Sequence, residues 1–275
     1  MSVWFAALLG IVQGLTEFLP VSSSGHLTLL QGLTGLSAGE DALAFDVWLH
    51  LGTLISVCVC FRRELCALLR EMPGMAADCL RGRRRTTPER RMIGLLALAT
   101  LPMAPAPLLR TRVEGLFSDP LVTGLMLLVT AALLAWADGA GAGRRTEKDA
   151  SWRDALTVGL AQLCALIPGL SRSGATVSAG MLRGFDRGFA VRFSFLLSLP
   201  VIVGANVLEL PRVLAGGIRT ERLLPYAAGM LCAAISGCAA IRLMRRAAER
   251  ASYRAFSVYC AAAGLAAVIL VLFQR

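Results

Sequence analysis

Charge is nearly absent from two long stretches of this chain. Between the N-terminus and Glu40 the only charged side chain is Glu17, and between Asp154 and Arg183 it is Arg172. Lysine is almost missing too, Lys148 being the single one among 28 basic residues, a bias toward arginine that says little about mechanism. The first residues, Met1-Ser2-Val3-Trp4-Phe5, lack a basic run, so no cleaved signal peptide is expected. The eight cysteines have no histidine or second cysteine pair beside them, which argues against a zinc site or a disulfide framework. They are expected as small buried apolar residues.

Apolar residues are what the chain has in excess, 56% of 275, against about 45–50% for a soluble domain. Windows long enough to cross a hydrocarbon core of about 30 Å recur at 43–61, 92–109, 120–137, 189–209, 223–241 and 255–273. The expected fold class is an all-α integral membrane protein, 1–275 forming one membrane domain. A net charge of +10 would suggest nucleic acid in a soluble chain. In a membrane chain it reflects basic cytoplasmic loops, so no nucleic-acid partner is expected.

Loop charge sets the orientation. Segment 62–91 carries nine arginines and 242–254 five, which puts both inside; 110–119 and 210–222 then fall outside, and 138–153 inside. This alternation holds only if 154–188 enters and leaves on one side, as a re-entrant hairpin: a helix over 154–167, a break at Pro168-Gly169, and a second helix from about Ser173. Segment 1–39 reads as its counterpart, broken at Pro20. Six transmembrane helices plus two re-entrant hairpins result. They form an inverted-topology repeat of 1–137 and 154–275, with its site at the repeat interface.

The two hairpins share their punctuation. Under one constant offset, Gly10, Gln13, Ser22, Ser24 and Gly25 align with Gly159, Gln162, Ser171, Ser173 and Gly174. A lone ionisable group in an apolar membrane segment is expensive and marks a functional site. Gln13 and Glu17, four apart, share a helix face and can hold a divalent cation or orient a water. In Pro20-Val21-Ser22-Ser23-Ser24-Gly25-His26 the proline ends a helix and the serines cap the next. Ser23 is the expected nucleophile and His26 the proton carrier; Ser22, Ser173, His26 or a metal-bound water could each take the nucleophile's role. In Pro168-Gly169-Leu170-Ser171-Arg172-Ser173-Gly174-Ala175-Thr176, small residues at a helix start let backbone amides converge on an anion. Arg172 adds a planar fork for two phosphate oxygens. Ser22, Ser171, Arg172, Ser173, Gly174 and Thr176 form the expected phosphate-binding set, with Glu17, Ser23, His26 and Arg172 catalytic. His50 and Asp46 could support the site from its outer end.

At these residues the chain resembles the bacitracin-resistance-type undecaprenyl pyrophosphate phosphatases. The marks are Gln13-Gly14-Leu15-Thr16-Glu17 running into Pro20 to His26, the stretch Pro168 to Thr176, Phe45-Asp46 through Leu49-His50-Leu51-Gly52-Thr53, and Phe193 to Leu197. The resemblance implies hydrolysis of undecaprenyl diphosphate, recycling the cell-wall lipid carrier at the outer face of the bacterial inner membrane. It also implies a divalent cation (Mg2+ or Ca2+) and a link to bacitracin resistance. Gln13 stands where the family often has a first glutamate, which speaks against an obligatory charged metal ligand there. The rival reading is a polyprenyl-phosphate transporter using the same anion site. The sequence leaves the oligomeric state open, a homodimer included; membrane lipid and the diphosphate lipid are the expected partners.

Overall fold

A computed structural model of the chain describes residues 1–33, 40–82, 85–117, 119–141, 143–215, 220–249 and 252–274. The end of the expected first hairpin, 34–39, lies outside them, as does 216–219 of the expected outer loop. The described residues form twelve α-helices: α1 (Val3–Phe18), α2 (Ser23–Leu33), α3 (Glu40–Cys60), α4 (Arg62–Leu80), α5 (Pro88–Thr100), α6 (Ala106–Leu116), α7 (Pro120–Gly139), α8 (Trp152–Cys164), α9 (Arg172–Leu182), α10 (Arg187–Ala215), α11 (Thr220–Glu249) and α12 (Arg254–Gln274). Their starts are written in the sequence. Ser2, Thr87, Asp119, Ser151 and Ser171 each accept a backbone N–H at an N-cap, and Pro88 and Pro120 occupy first turns.

Among the described residues five helical stretches are long and apolar enough to cross a bilayer: Pro88–Leu109, Pro120–Gly139, Arg187–Pro211, Glu221–Glu249 and Arg254–Phe273. Ala44–Cys60 with Arg62–Asp78 makes a sixth, bent by 86°. The chain is an all-α, multi-pass integral membrane protein. Its outer surface carries bare apolar side chains such as Ile235, Leu270 and Phe273, as lipid contact requires.

Some expectations needed correcting. Segment 62–91, read as a basic loop, contains the amphipathic helix α4, and 110–119 holds the end of α6. Hydropathy windows miss such helices because one polar face dilutes the average. Of the seven described cysteines, all free, only Cys260 is buried; Cys58, Cys66 and Cys164 face outward. In a membrane protein the apolar exterior is lipid, so an apolar position need not be an interior one.

Helix pairing interlocks the two halves of the chain. α1 packs on α11 so closely that a Cβ at Gly10 would lie 2.2 Å from the Gly229 carbonyl oxygen. α8 packs on α5 in the same way: a Cβ at Gly159 would lie 2.3 Å from the Ala99 carbonyl oxygen. Gly10 and Gly159 are aligned positions, so each first arm uses the same device to lie against a helix of the other half. α7 and α12 run antiparallel, Gly124 meeting Gly264 and Ala131 meeting Ser257. The main core holds Phe18, Phe61, Phe193 and Phe195, with the Phe18 and Phe195 rings edge to face at 5.4 Å.

Candidate active site at the hairpin tips

Both hairpins turn deep inside the protein, where irregular backbone must find protein partners. The break after α1 spans Leu19 to Ser22, and Ser22 takes a left-handed backbone (φ 69°) although it is not glycine. The break after α8 runs from Ala165 to Ser171, starting earlier than Pro168 because α8 already ends at Cys164. Its left-handed residue is Gly169 (φ 90°). No other residue fits there, since a Cβ would lie 2.3 Å from the Thr123 carbonyl oxygen.

Helices α7 and α12 receive the turns. The Ser171 amide donates to Thr130 Oγ1 at 3.0 Å, and Cys260 Sγ donates to the Pro20 carbonyl. The tips also hold each other: Ser173 Oγ donates to the Leu19 carbonyl at 3.1 Å. Each second arm then begins with the same cap. Ser22 Oγ accepts from the Gly25 amide and approaches Ser24 Oγ at 3.3 Å; Ser171 Oγ accepts from the Gly174 amide and approaches Ser173 Oγ at 3.2 Å.

Glu17 lies between these two helix starts, 7% exposed. Its Oε1 accepts from Arg172 Nη2 at 2.7 Å. Its Oε2 accepts from Ser23 Oγ at 2.7 Å and from Gln13 Nε2 at 3.2 Å. The acid of one hairpin and the base of the other are thus a part-buried ion pair at the tips. Two atoms of these residues, Gln13 Oε1 and Arg172 Nη1, are buried and without a partner among the described residues. The Arg172 and Ser173 amides, first in α9, also have no acceptor among the described residues, as helix starts leave them. A fork with one free prong beside two free amides can bind an oxyanion.

Other expected residues are differently engaged. His26 is not bonded to Ser23. Its Nδ1 lies 2.7 Å from the Ser22 carbonyl, which can only accept, so Nδ1 carries the proton. Its Nε2 is 2.6 Å from the Tyr259 hydroxyl, and the two rings stack at 5.7 Å. The Ser171 and Thr176 hydroxyls are spent inside the protein, Thr176 donating to the Arg172 carbonyl and meeting Ser194 Oγ at 2.6 Å. Of the expected phosphate-binding set, it is therefore one prong of Arg172 and the backbone amides at the start of α9 that are without a partner among the described residues. His50 points its Nδ1 at the Asp46 carbonyl, 2.8 Å away. Tyr259, Thr130 and Ser194 were not anticipated. Nothing local marks Tyr259 or Thr130 within their apolar runs, whereas Ser194 belongs to the Phe193 to Leu197 stretch.

Among the described residues no group of three or more His, Cys, Asp or Glu could hold a metal ion. A cation shared with a phosphate needs less, because Mg2+ is commonly held by one or two carboxylates plus substrate oxygens. The unbonded Gln13 Oε1 beside Glu17 fits that donor set.

A family model described as Bacitracin resistance protein BacA matches residues 6–266. An undecaprenyl-diphosphatase of Rubrobacter xylanophilus is 45% identical over 269 residues, covering 97% of this chain and 98% of that protein. One from Geobacter sulfurreducens is 41% identical over the full length of both chains. One from Methanosphaera stadtmanae is 35% identical, covering 98% of each.

Proposed function

The chain belongs to the BacA family of bacitracin resistance proteins, and we propose that it hydrolyses undecaprenyl diphosphate to undecaprenyl phosphate and inorganic phosphate. The observation that carries this is the Arg172 fork, one prong on Glu17 and the other buried and unbonded. A buried guanidinium is stable only with an anion, and Glu17 serves in the absence of substrate. The terminal phosphate takes the free prong and the amides of Arg172 and Ser173, and it competes with Glu17 for the rest of the fork.

Ser23 donates its hydroxyl proton toward Glu17, the arrangement of a nucleophile beside its base. Attack by Ser23 Oγ on the terminal phosphorus passes the proton to Glu17, and the bridging P–O bond breaks to release undecaprenyl phosphate. Water then cleaves the phosphoserine. The same hydrogen bond favours hydrolysis over transport, which needs no nucleophile. His26, held through Ser22 and Tyr259, is available to carry a proton. Glu17 and the Gln13 carboxamide oxygen would hold a divalent cation, Mg2+ or Ca2+. Such an ion neutralises phosphate charge as the bond breaks.

The loop arginines support an inverted-topology repeat in the bacterial inner membrane, with the site open to the outer face and the prenyl chain between helices. There the enzyme would recycle the carrier for cell-wall glycans, and a homodimer is compatible with this arrangement. The test is phosphate release from undecaprenyl diphosphate by purified protein in detergent, with Mg2+ or Ca2+ and with chelator. Cation-dependent release is expected. Binding of the lipid without release would overturn the proposal.

A further inference from the structure

A cavity of about 470 Å3 opens where the C-terminal ends of α3 and α11 meet. Arg62, Arg63, Arg242 and Arg245 line it, with Glu64 the one acid, and Phe61 and Ile241 are buried beneath. None of these four guanidinium groups has an ion pair or hydrogen bond among the described residues. Some arginines elsewhere are neutralised by acids: Arg90 pairs with Glu71 and Asp78, Arg187 with Asp138, Arg192 with Glu147. Glu64 can offset one charge of four, so the cavity keeps a surplus of positive charge.

Its place in the fold says what kind of anion it suits. α4 leaves α3 at 86°, so the arginines stand where the chain turns from crossing the bilayer to lying along it, at headgroup level. Two bare apolar stripes lead away from the cavity. On α3, Ile55 and Val59 precede Arg62 and Arg63 at helical spacing; on α11, Leu231 and Ile235 precede Arg242. α3 and α11 pack side by side, Gly52 against Met230 and Ser56 bonded to the Ala234 carbonyl, so the stripes belong to one groove. Basic pockets between membrane helices recognise lipid headgroup phosphates.

We propose that this cavity seats the phosphate headgroup of an anionic phospholipid, with its acyl chains along the two stripes. The site is separate from the hairpin tips and does not depend on the hydrolysis reading. The probes are a tetraoleoyl diphosphatidylglycerol, dioleoyl phosphatidylcholine and inorganic phosphate, titrated against the purified full-length chain in detergent by native mass spectrometry. The first should bind at least about tenfold more tightly than the second. Arg62→Gln with Arg245→Gln should weaken it about 30-fold, the expectation for removing two charged contacts. Arg246→Gln with Arg254→Gln removes the same charge outside the cavity and should change binding less than about threefold. Each variant is measured after its lipid-free melting temperature has been matched to the parent. Where the double variant does not fold, Arg62→Gln alone should cost about fivefold. An equal loss in the outside variant would reduce the effect to diffuse surface charge and overturn the proposal. Binding of inorganic phosphate with the same dependence on Arg62 and Arg245 would also overturn it, in favour of a free-phosphate site.

Discussion

In the hairpin of α1 and α2 the charged side chain, Glu17, sits in the last turn of the first arm. In the hairpin of α8 and α9 the charge at the tip is Arg172, the first residue of the second arm. At aligned positions Glu17 faces Leu166, Arg172 faces Ser23, and His26 faces Ala175. The caps, the close-packing glycines and the Ser-x-Ser contact are kept in both. The scaffold is thus duplicated, and the chemistry comes from the few positions where the copies differ. At the tips each hairpin supplies the other's counter-ion, whereas Asp154 at the base of α8 is paired with Arg183 of its own hairpin and with Arg145.

The aligned glutamines make the same point. Gln13 donates to Glu17, whereas Gln162, 1% exposed, has both side-chain polar atoms unbonded. With Leu166 in place of an acid, Gln162 keeps the residue type of its counterpart and has lost the partner.

The largest effect should come from removing the acid. Glu17→Ala takes away the counter-ion of Arg172 and the acceptor of the Ser23 hydroxyl, and with them the base and the cation carboxylate that we propose. A loss of about 10³-fold or more in kcat is expected from single-turnover assays in detergent. Near-parent turnover would mean that the hairpins do not divide the work as described. A smaller loss is expected at Tyr259. Tyr259→Phe keeps the ring stacked on His26 and removes the hydroxyl on Nε2, so kcat should fall about tenfold with KM nearly unchanged. If KM rises instead, Tyr259 contacts the lipid and does not position His26. The smallest effect separates the glutamines. Gln162→Leu should leave activity unchanged and stabilise the fold by about 1 kcal/mol, read as a higher melting temperature, because it removes unsatisfied buried groups. Gln13→Leu should lower kcat about tenfold. Equal behaviour of the two variants would remove the distinction between the copies.

Much of this was legible in the sequence because it was written locally. Pro20 and Pro168-Gly169 marked the breaks, Ser22 and Ser171 the caps, and the lone charges Glu17 and Arg172 the contact across the tips. The six apolar windows each fall within or largely overlap a helix of the structure. What escaped was non-local or amphipathic. Tyr259 meets His26 across 233 residues of sequence and stands in an apolar run like any other aromatic. Thr130 looks like a neutral position until the Ser171 amide arrives. α4 hid among its charged residues, since its apolar runs, such as Leu65 to Leu69, are too short to read as a crossing.

The claim on which the rest depends is that the Arg172 fork holds phosphate through both prongs. Arg172→Lys keeps the charge and discards the fork. Hydrolysis of undecaprenyl diphosphate by the purified variant, normalised to folded protein, should show kcat/KM reduced by about 10²-fold or more, equivalent to ~2.7 kcal/mol of lost transition-state stabilisation. A lysine variant matching the parent enzyme would contradict two-pronged recognition and leave Arg172 as a structural counter-ion to Glu17.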